Sequence, residues 1–530
     1  MLQYYGYLPC KFWTQPGSLA SRYINGGPFG AYININIFLC LGLILFKQRI
    51  HIKIIIFGFF FLFVSALILS NSRISWLVFA FLLIIALFLF MSLTSAKTKG
   101  FAPIVIFAII IFSACWYFGP KIWHRVIIAQ TTQFQSLLQR FDVWKGTLKI
   151  ILAYPFGSGL GTFQYIYPVF RTHSDRFVVD FAHSDALQLA SESGIAALTL
   201  FGWFLVRVFS AVIRSLKDLQ NRNKYLVLGV AFAVLSFVLQ GFIDFPIRVP
   251  ANAVLFFVCL GLLTSLGKRQ HKIIFSRLSS ILLFLFVVVC VFIFSCIFFA
   301  NKYYTCAERN FKSLRWSEAF SNYSKTIKLM PIKAENYFGR GQIYFSRAKA
   351  VFGEKRLKND RFAEFDFKKA VKLNPYYSYA YLNLASLYVD EEKQKEALAA
   401  FNKAIETNPT VGAFYYPYAD YCLEHGFLGE ALETYRKSLS LFINDDGSFS
   451  NRYGTIQGLF SKIYDHTSDY SQLKLVIPDK ANIRLEFAYF LEQKNLFPES
   501  CSEYNDILTN YPDNKIAKAA IERLKVKCQK

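Results

Sequence analysis

No Asp or Glu occurs before Asp142. Residues 1–300 hold only seven acids against 25 Lys and Arg, a net +18. Ion-coupled transporters rely on acids inside their membrane helices, so this scarcity argues against that class. The ten cysteines include no CxxC pair. His124, His173 and His183 are too scattered for a zinc site, so neither a metal nor a redox cofactor is expected. The first 28 residues carry Tyr, Gly and Pro but no apolar core, and no cleavable signal peptide is read there.

Apolar sequence dominates what is present. Of 530 residues, 54% are hydrophobic and 18% aromatic, too apolar for one soluble domain of this size. Long uncharged runs crowd residues 29–300, whereas the chain from Asn301 onward is rich in Lys, Glu, Asp, Asn and Tyr. The expected class is all-α, with a polytopic membrane domain over 1–300 and a second domain over 301–530. The net charge of +24 lies mainly in loops between apolar runs. Membrane topology and anionic lipid-linked substrates account for that placement better than nucleic acid does, so no nucleic-acid partner is expected.

A helix needs about 20 apolar residues to cross a bilayer. Eight stretches qualify: Phe29–Phe46, Ile54–Leu69, Ile74–Leu93, Phe101–Phe118, Gly194–Ile213, Leu226–Ile243, Pro250–Leu266 and Leu278–Ala300. Basic residues gather in alternate loops: Lys47, Arg49 and Lys53; Lys97 and Lys99; Arg214, Lys217, Arg222 and Lys224; Lys268, Arg269, Lys272 and Arg277. The positive-inside rule puts these in the cytoplasm. The long segment from Gly119 to Ser193 and the C-terminal domain are then external. An external C-terminus after eight helices requires an external N-terminus. That is awkward for a chain opening at Met1, and it suggests a truncated start or a first run that does not span.

Within the polar half, Ala370 and Pro375 recur as Ala404 and Pro409, a shift of 34 residues. That is the period of the tetratricopeptide (TPR) repeat, a helix pair that stacks into an α-solenoid. Residues 378–411 fit best. Tyr381, Leu384, Ala385 and Tyr388 fall in a first helix, and Ala397, Phe401, Ala404 and Pro409 in a second. Weaker copies flank it. Ala319, Tyr323 and Pro331 make half of one, and Ala363, Phe367 and Ala370 follow an insertion. Tyr415, Tyr418, Ala419, Ala431 and Tyr435 begin another, and Ala488, Tyr504, Ile507 and Pro512 close the series. Such arrays bind proteins or peptides, so a protein partner is expected, against the plainer role of a spacer. A disulfide among Cys306, Cys422, Cys501 and Cys528 requires that this half be external.

Chemistry concentrates in the long loop. It contains Arg140-Phe-Asp-Val-Trp144, Pro155-Phe-Gly-Ser-Gly-Leu-Gly-Thr-Phe163 and His183-Ser-Asp-Ala-Leu-Gln-Leu-Ala-Ser-Glu-Ser-Gly194. The glycines lack the Lys-Ser/Thr ending of a phosphate loop and read as a tight turn. His183 stands just before an apolar-periodic segment, where an imidazole can take a proton from an attacking hydroxyl. Asp185 and Glu192 are acidic neighbours able to orient it or to raise its pKa. The plain alternative makes Ser184 or Asp185 a helix N-cap beside an incidental His. Arg73 opens the third run and Arg140 lies in the loop; arginine suits a phosphate that must be gripped by several hydrogen bonds. For Arg73 the alternative is a snorkelling helix-end residue. Asp244-Phe-Pro-Ile-Arg248 reads as a salt-bridged turn.

In order, Arg22-Tyr-Ile-Asn-Gly-Gly-Pro-Phe, Ser72-Arg73, Arg140 with Trp144, Gly157-x-Gly-x-Gly161, His183-Ser-Asp-x-Leu187 with Glu192-Ser-Gly194, and Asp244-Phe-Pro resemble the O-antigen ligase and polymerase superfamily over residues 20–270. The resemblance implies a glycosyltransferase that takes a glycan from an undecaprenyl-diphosphate carrier to a lipid, glycan or protein acceptor, without a metal, at the external face of the bacterial inner membrane. It also implies that Arg73 and Arg140 hold the diphosphate and that His183 is catalytic, supported by Asp185 and Glu192. The chain departs from the family's usual His-Asn pair by having Ser184. A non-catalytic, membrane-anchored TPR scaffold for envelope polysaccharide assembly is the competing reading.

Overall fold

The computed structural model describes residues 26–46, 49–93, 139–171, 179–218, 221–266, 276–441, 456–525 and 527, and they contain helices and no strand. The chain parts into two compact units, chiefly between Ile274 and Phe275.

The first unit holds α1 (Gly26–Leu45), α2 (Ile50–Leu69), α3 (Arg73–Leu93), α4 (139–153), α5 (Phe163–Phe170), α6 (Asp185–Asp218), α7 (Asn221–Gly241), a 3-10 turn (Pro246–Arg248) and α8 (Pro250–Leu266). Seven of the eight expected spans fall on helices of the two units; Phe101–Phe118 lies outside the described residues. Of these, α1, α2, Asp185–Arg214 of α6, Lys224–Gly241 of α7 and α9 of the second unit are long and apolar enough to cross a membrane. Arg73–Ala86 and Pro250–Ser265 are shorter.

α1 is the centre of this unit, packed on α2, α3 and α7. Gly42 of α1 faces Gly229 of α7. A Cβ on Gly42 would come within 2.8 Å of the opposing Cα, so the backbones touch. Small residues at crossings are how helices gain dispersion contact in lipid, where no hydrophobic drive brings them together. Several polar side chains inside the bundle donate hydrogen bonds across helices. Gln240 Nε2 donates to Gly27 O (2.7 Å) and Ser75 Oγ (2.8 Å), Asn34 Nδ2 to Ser75 O (3.0 Å), and Asn252 Nδ2 to Pro28 O (2.8 Å). These bonds fix the register of α1, α3, α7 and α8, because an amide slid out of place would lie unpaired in an apolar medium.

The second unit begins with α9 (Arg277–Lys312), followed by α10 (Trp316–Leu329), α11 (Ala334–Lys349), α12 (Glu354–Leu373), α13 (Ser378–Asp390), α14 (Gln394–Thr407), α15 (Gly412–Glu424) and α16 (Leu428–Leu441), then α17 (Ile456–Thr467), α18 (Tyr470–Val476), α19 (Ala481–Gln493), α20 (Phe497–Asn510) and α21 (Lys515–Leu524). The boundary that composition places at residue 300 falls inside α9. Ser276 caps its start, accepting from Ser279 N at 3.1 Å, and nothing breaks it before Ser313. Its last turns supply the helix missing from the half-repeat at Ala319 and Tyr323. Ala307, Ala319, Tyr323 and Ile343 form one buried cluster, and Tyr323 Oη donates to Glu308 at 2.6 Å.

The insertion expected before Ala363 is taken up by a longer helix pair: α11 and α12 have 16 and 20 residues, against 13 and 14 in α13 and α14. Gly341 lets α11 lie against Phe367, where a Cβ would meet the ring at 2.8 Å. Arg340 makes a two-pronged bond to the buried Asp366, both contacts at 2.8 Å. α13 with α14 and α15 with α16 are the helix pairs read from the sequence, with Ala385, Ala397, Phe401, Ala404, Ala419, Ala431 and Tyr435 in one core. α19 and α20 form the last pair around Ala488 and Tyr504, and α21 covers it.

Candidate functional site

The Gly-rich stretch is a docked loop. After α4 ends, Ser158 N and Gly159 N donate to Ser191 O and Glu192 O, each at 2.9 Å, and Ile195 N donates to Pro155 O at 3.0 Å. Gly157 and Gly194 have φ of +93° and +88°, and the segments that carry them touch backbone to backbone. A Cβ on Gly194 would come within 2.6 Å of Phe156 C. Gly194 also breaks α6 into a short arm, from Asp185 to Ser193, and the long apolar helix beyond. Gly194→Ala therefore meets both a forbidden φ and a backbone clash. Destabilisation of at least about 1–3 kcal/mol is expected, seen as a lower melting temperature in detergent; an unchanged melting temperature would refute the close docking.

The arm carries the polar residues. Ser184 is its N-cap: Leu187 N donates to Ser184 Oγ at 3.3 Å, and Ser184 is buried. Gln188 bridges inward, accepting from Ala182 N at 2.7 Å and donating to Glu192 Oε1 at 2.8 Å. Glu192, itself buried, pairs with Arg248 at 3.0 Å, and Arg248 lies 4.9 Å from the ring centre of Phe181. The turn 244–248 is thus salt-bridged, but outward to the arm rather than between its own Asp and Arg. Asp185 accepts from Ile247 N at 3.1 Å and its own N–H donates to Asp244 O at 3.1 Å, which locks the arm onto that turn.

His183 precedes the cap in a left-handed conformation, φ 50°, uncommon for a residue with a Cβ and frequent at functional sites. Its ring lies edge-on to Phe245, centroids 5.2 Å apart, and its Nδ1 is buried with no hydrogen-bond partner. Contrary to the expectation from sequence, its pKa is not raised by the acidic neighbours; burial first, and then the Arg140 charge, lower it to about 4, so the imidazole is neutral at physiological pH. Arg140 donates from Nη1 to Ile243 O at 3.0 Å. Asp244, facing the same guanidinium, has its carboxyl pushed above the ordinary range by burial, with Arg140 and the Phe245 N–H pulling it back.

Four of the five residues singled out by sequence thus converge: Arg140, His183, Asp185 and Glu192 ring the turn after α7. Arg73 does not join them. It is half-buried, and no described residue pairs with it. Its helix start reaches the same end of α7 through Ser75 and Gln240. Arg248 and Gln188 are the polar residues that sequence reasoning did not bring to the site. A lone Arg in a short turn between apolar runs was the available signal for the first.

Beneath the arm lies a cavity of about 460 Å³. Asp185, Gln188, Glu192 and Arg248 stand at its polar end, and Phe201, Leu205, Phe237 and Phe256 are among its apolar walls on α6, α7 and α8. Polar groups at one end and hydrocarbon at the other fit an amphiphile. Among the described residues no cluster of ligating side chains could hold a metal ion.

Residues 58–202 match the family described as O-antigen ligase, and this stretch includes Arg73, Arg140, His183, Asp185 and Glu192. Residues 378–411, α13 and α14, match the tetratricopeptide repeat. Among solved structures, a thermophilic TPR protein of Thermus thermophilus is 20% identical, covering 28% of this chain and 75% of that one, with a TM-score of 0.26. PilF of Pseudomonas aeruginosa is 12% identical, covering 43% and 99%, TM-score 0.28. MamA of Desulfovibrio magneticus is 12% identical, covering 41% and 97%, TM-score 0.24. These likenesses concern fold alone. The chain is an all-α protein that carries an O-antigen ligase domain among its apolar helices and a tetratricopeptide repeat in its C-terminal half.

Proposed function

We propose that the membrane half transfers or polymerises a glycan carried on undecaprenyl diphosphate, at the external face of the inner membrane. The observation that carries this reading is the cavity under the α6 arm: its walls suit the first isoprenes of a lipid carrier, and its polar end lies beside the turn that holds Arg140 and His183. In the step proposed, the acceptor oxygen bonds to the anomeric carbon while the bond from that carbon to the diphosphate oxygen breaks. The electron pair leaves with the lipid diphosphate, where Arg140 and Arg73 stabilise the growing charge. The acceptor hydroxyl gives its proton to the neutral imidazole of His183. Asp185 and Glu192 act through position, holding the arm on the 244–248 turn and the Gly loop. The TPR half would recruit a protein partner or acceptor.

The basic alternate loops support an external site, as does the disulfide at Cys501, a bond that persists in oxidising compartments. An impermeant thiol reagent applied to intact cells should label cysteines introduced after residue 310 and spare those at 217–224; the opposite pattern would overturn the topology.

Glycan analysis of cells lacking the protein tests the activity. Missing polysaccharide attachment indicates a ligase and single-unit glycans a polymerase. Unchanged glycans would remove the enzyme reading and favour the scaffold.

A further inference from the structure

Charge is very uneven within the second unit. Residues 301–349 hold ten Lys and Arg against three acids, a net +7, whereas residues 350–530 hold 24 against 25, a net −1. Of the ten, only Arg340 forms an ion pair with a carboxylate among the described residues. Beyond Arg356 the pairs are frequent. The positive charge of the first repeat is therefore largely unpaired among the described residues.

Its placement relative to α9 is informative. The apolar stretch Leu278–Ala300 is exposed around nearly its whole circumference and is about 34 Å long at 1.5 Å per residue, enough for the roughly 30 Å hydrocarbon core. α9 continues unbroken, so Lys302, Tyr303 and Tyr304 follow within about 6 Å along the axis, the thickness of the headgroup layer. α10 runs back along α9. Lys325 Nζ lies 5.4 Å from the centre of the Tyr303 ring, and Lys333 Nζ 4.5 Å from that of Tyr304. Rings hold these ammonium groups without cancelling their charge.

The end of α10 and the loop after it are thereby brought back to the level at which α9 leaves the bilayer. That loop reads Lys328-Leu-Met-Pro-Ile-Lys333. Its tip exposes Ile332 (73%) and Leu329 (36%) between the two lysines. Apolar tips flanked by lysines and backed by tyrosines match the chemistry of an interface with anionic headgroups above and acyl chains below.

We propose that the 328–333 loop, with Lys302 and Lys325, is a second membrane contact that docks the first repeat onto anionic phospholipid headgroups. It fixes the solenoid against the surface from which α9 emerges, so the repeats do not swing about one helix. This holds whether or not the membrane half is a transferase.

The test uses the full chain in lipid nanodiscs and follows hydrogen exchange of segment 325–336. Discs of phosphatidylcholine are compared with discs rich in phosphatidylglycerol. Exchange should slow in the anionic discs and recover at high salt, as screening requires. Lys325→Gln/Lys328→Gln/Lys333→Gln should remove the lipid dependence, with the docked fraction shifting on the order of a hundred-fold for three lysines at an anionic surface. Leu329→Ser/Ile332→Ser should weaken protection at unchanged charge. Protection of 337–348 reports that each variant is folded, and segment 515–524 should respond to neither lipid. Equal exchange in the two lipids, or lipid-dependent protection that survives the triple substitution, overturns the proposal. Protection that appears only when an acidic peptide is added overturns it too, in favour of a protein partner.

Discussion

His183→Ala is expected to slow glycan transfer by about 10²–10⁴-fold, with donor binding and the amount of protein in the membrane nearly unchanged. Burial keeps the imidazole neutral, so it carries a ring lone pair able to take an acceptor proton. Its left-handed backbone complicates the alanine variant. His183→Asn is the cleaner comparison, since Asn tolerates positive φ and differs mainly in lacking a base. His173→Ala, in the other His-Ser-Asp tripeptide and outside the described residues, serves as the control. Transfer in membranes at matched expression measures all three. Near-parental rates for His183→Ala and His183→Asn would remove His183 from the mechanism.

The pH profile separates a base from a merely structural histidine. A base is lost on protonation, and a pKa lowered to about 4 keeps the active form present well below pH 6.5. The acid limb of kcat/KM, which reports the free enzyme, should therefore lie near pH 4–5. A diphosphate bound at Arg140 would offset the nearby positive charge, so the limb of kcat should lie at higher pH. Arg140→Gln should raise the kcat/KM limb without returning it to 6.5, because burial is the larger cause. Asp244, its carboxyl raised by burial, faces the same arginine, and the limb must be read with that group in view.

Arg140→Ala should weaken donor use by about 10–100-fold, the worth of one or two hydrogen bonds to a charged group. Arg140→Lys should recover little. The guanidinium spends one N–H on Ile243 O and keeps others for the ligand, a division that a single ammonium with one point of charge does not reproduce. The measurement is the donor dependence of the initial rate. Full recovery by lysine would show that only charge is needed. Arg73→Ala should be the milder of the two, because Arg73 lies apart from the His183 cluster and reaches the same end of α7 only through Ser75 and Gln240.

The sequence alone determined the architecture. Uncharged runs of about 20 residues have few fates other than crossing a bilayer, and a 34-residue recurrence of Ala and Pro requires stacked helix pairs, so both were legible as periodicity. It also located the long loop and its His, Arg, Asp and Glu. Other features were decided only by tertiary structure. Which half of a repeat pairs with Ala319 and Tyr323 depends on α9 continuing past Ala300, and no composition change marks a helix that stays helical as its solvent changes. The role of the glycines depended on two backbones meeting at Gly157 and Gly194, which are 37 positions apart. The gathering of Arg140, His183, Asp185 and Asp244 around one turn, and the partnership of Glu192 with Arg248, likewise join segments more than 40 positions apart. Charge and hydrogen bonding act through a few ångströms of space, and chain order carries no record of those distances until the helices have packed.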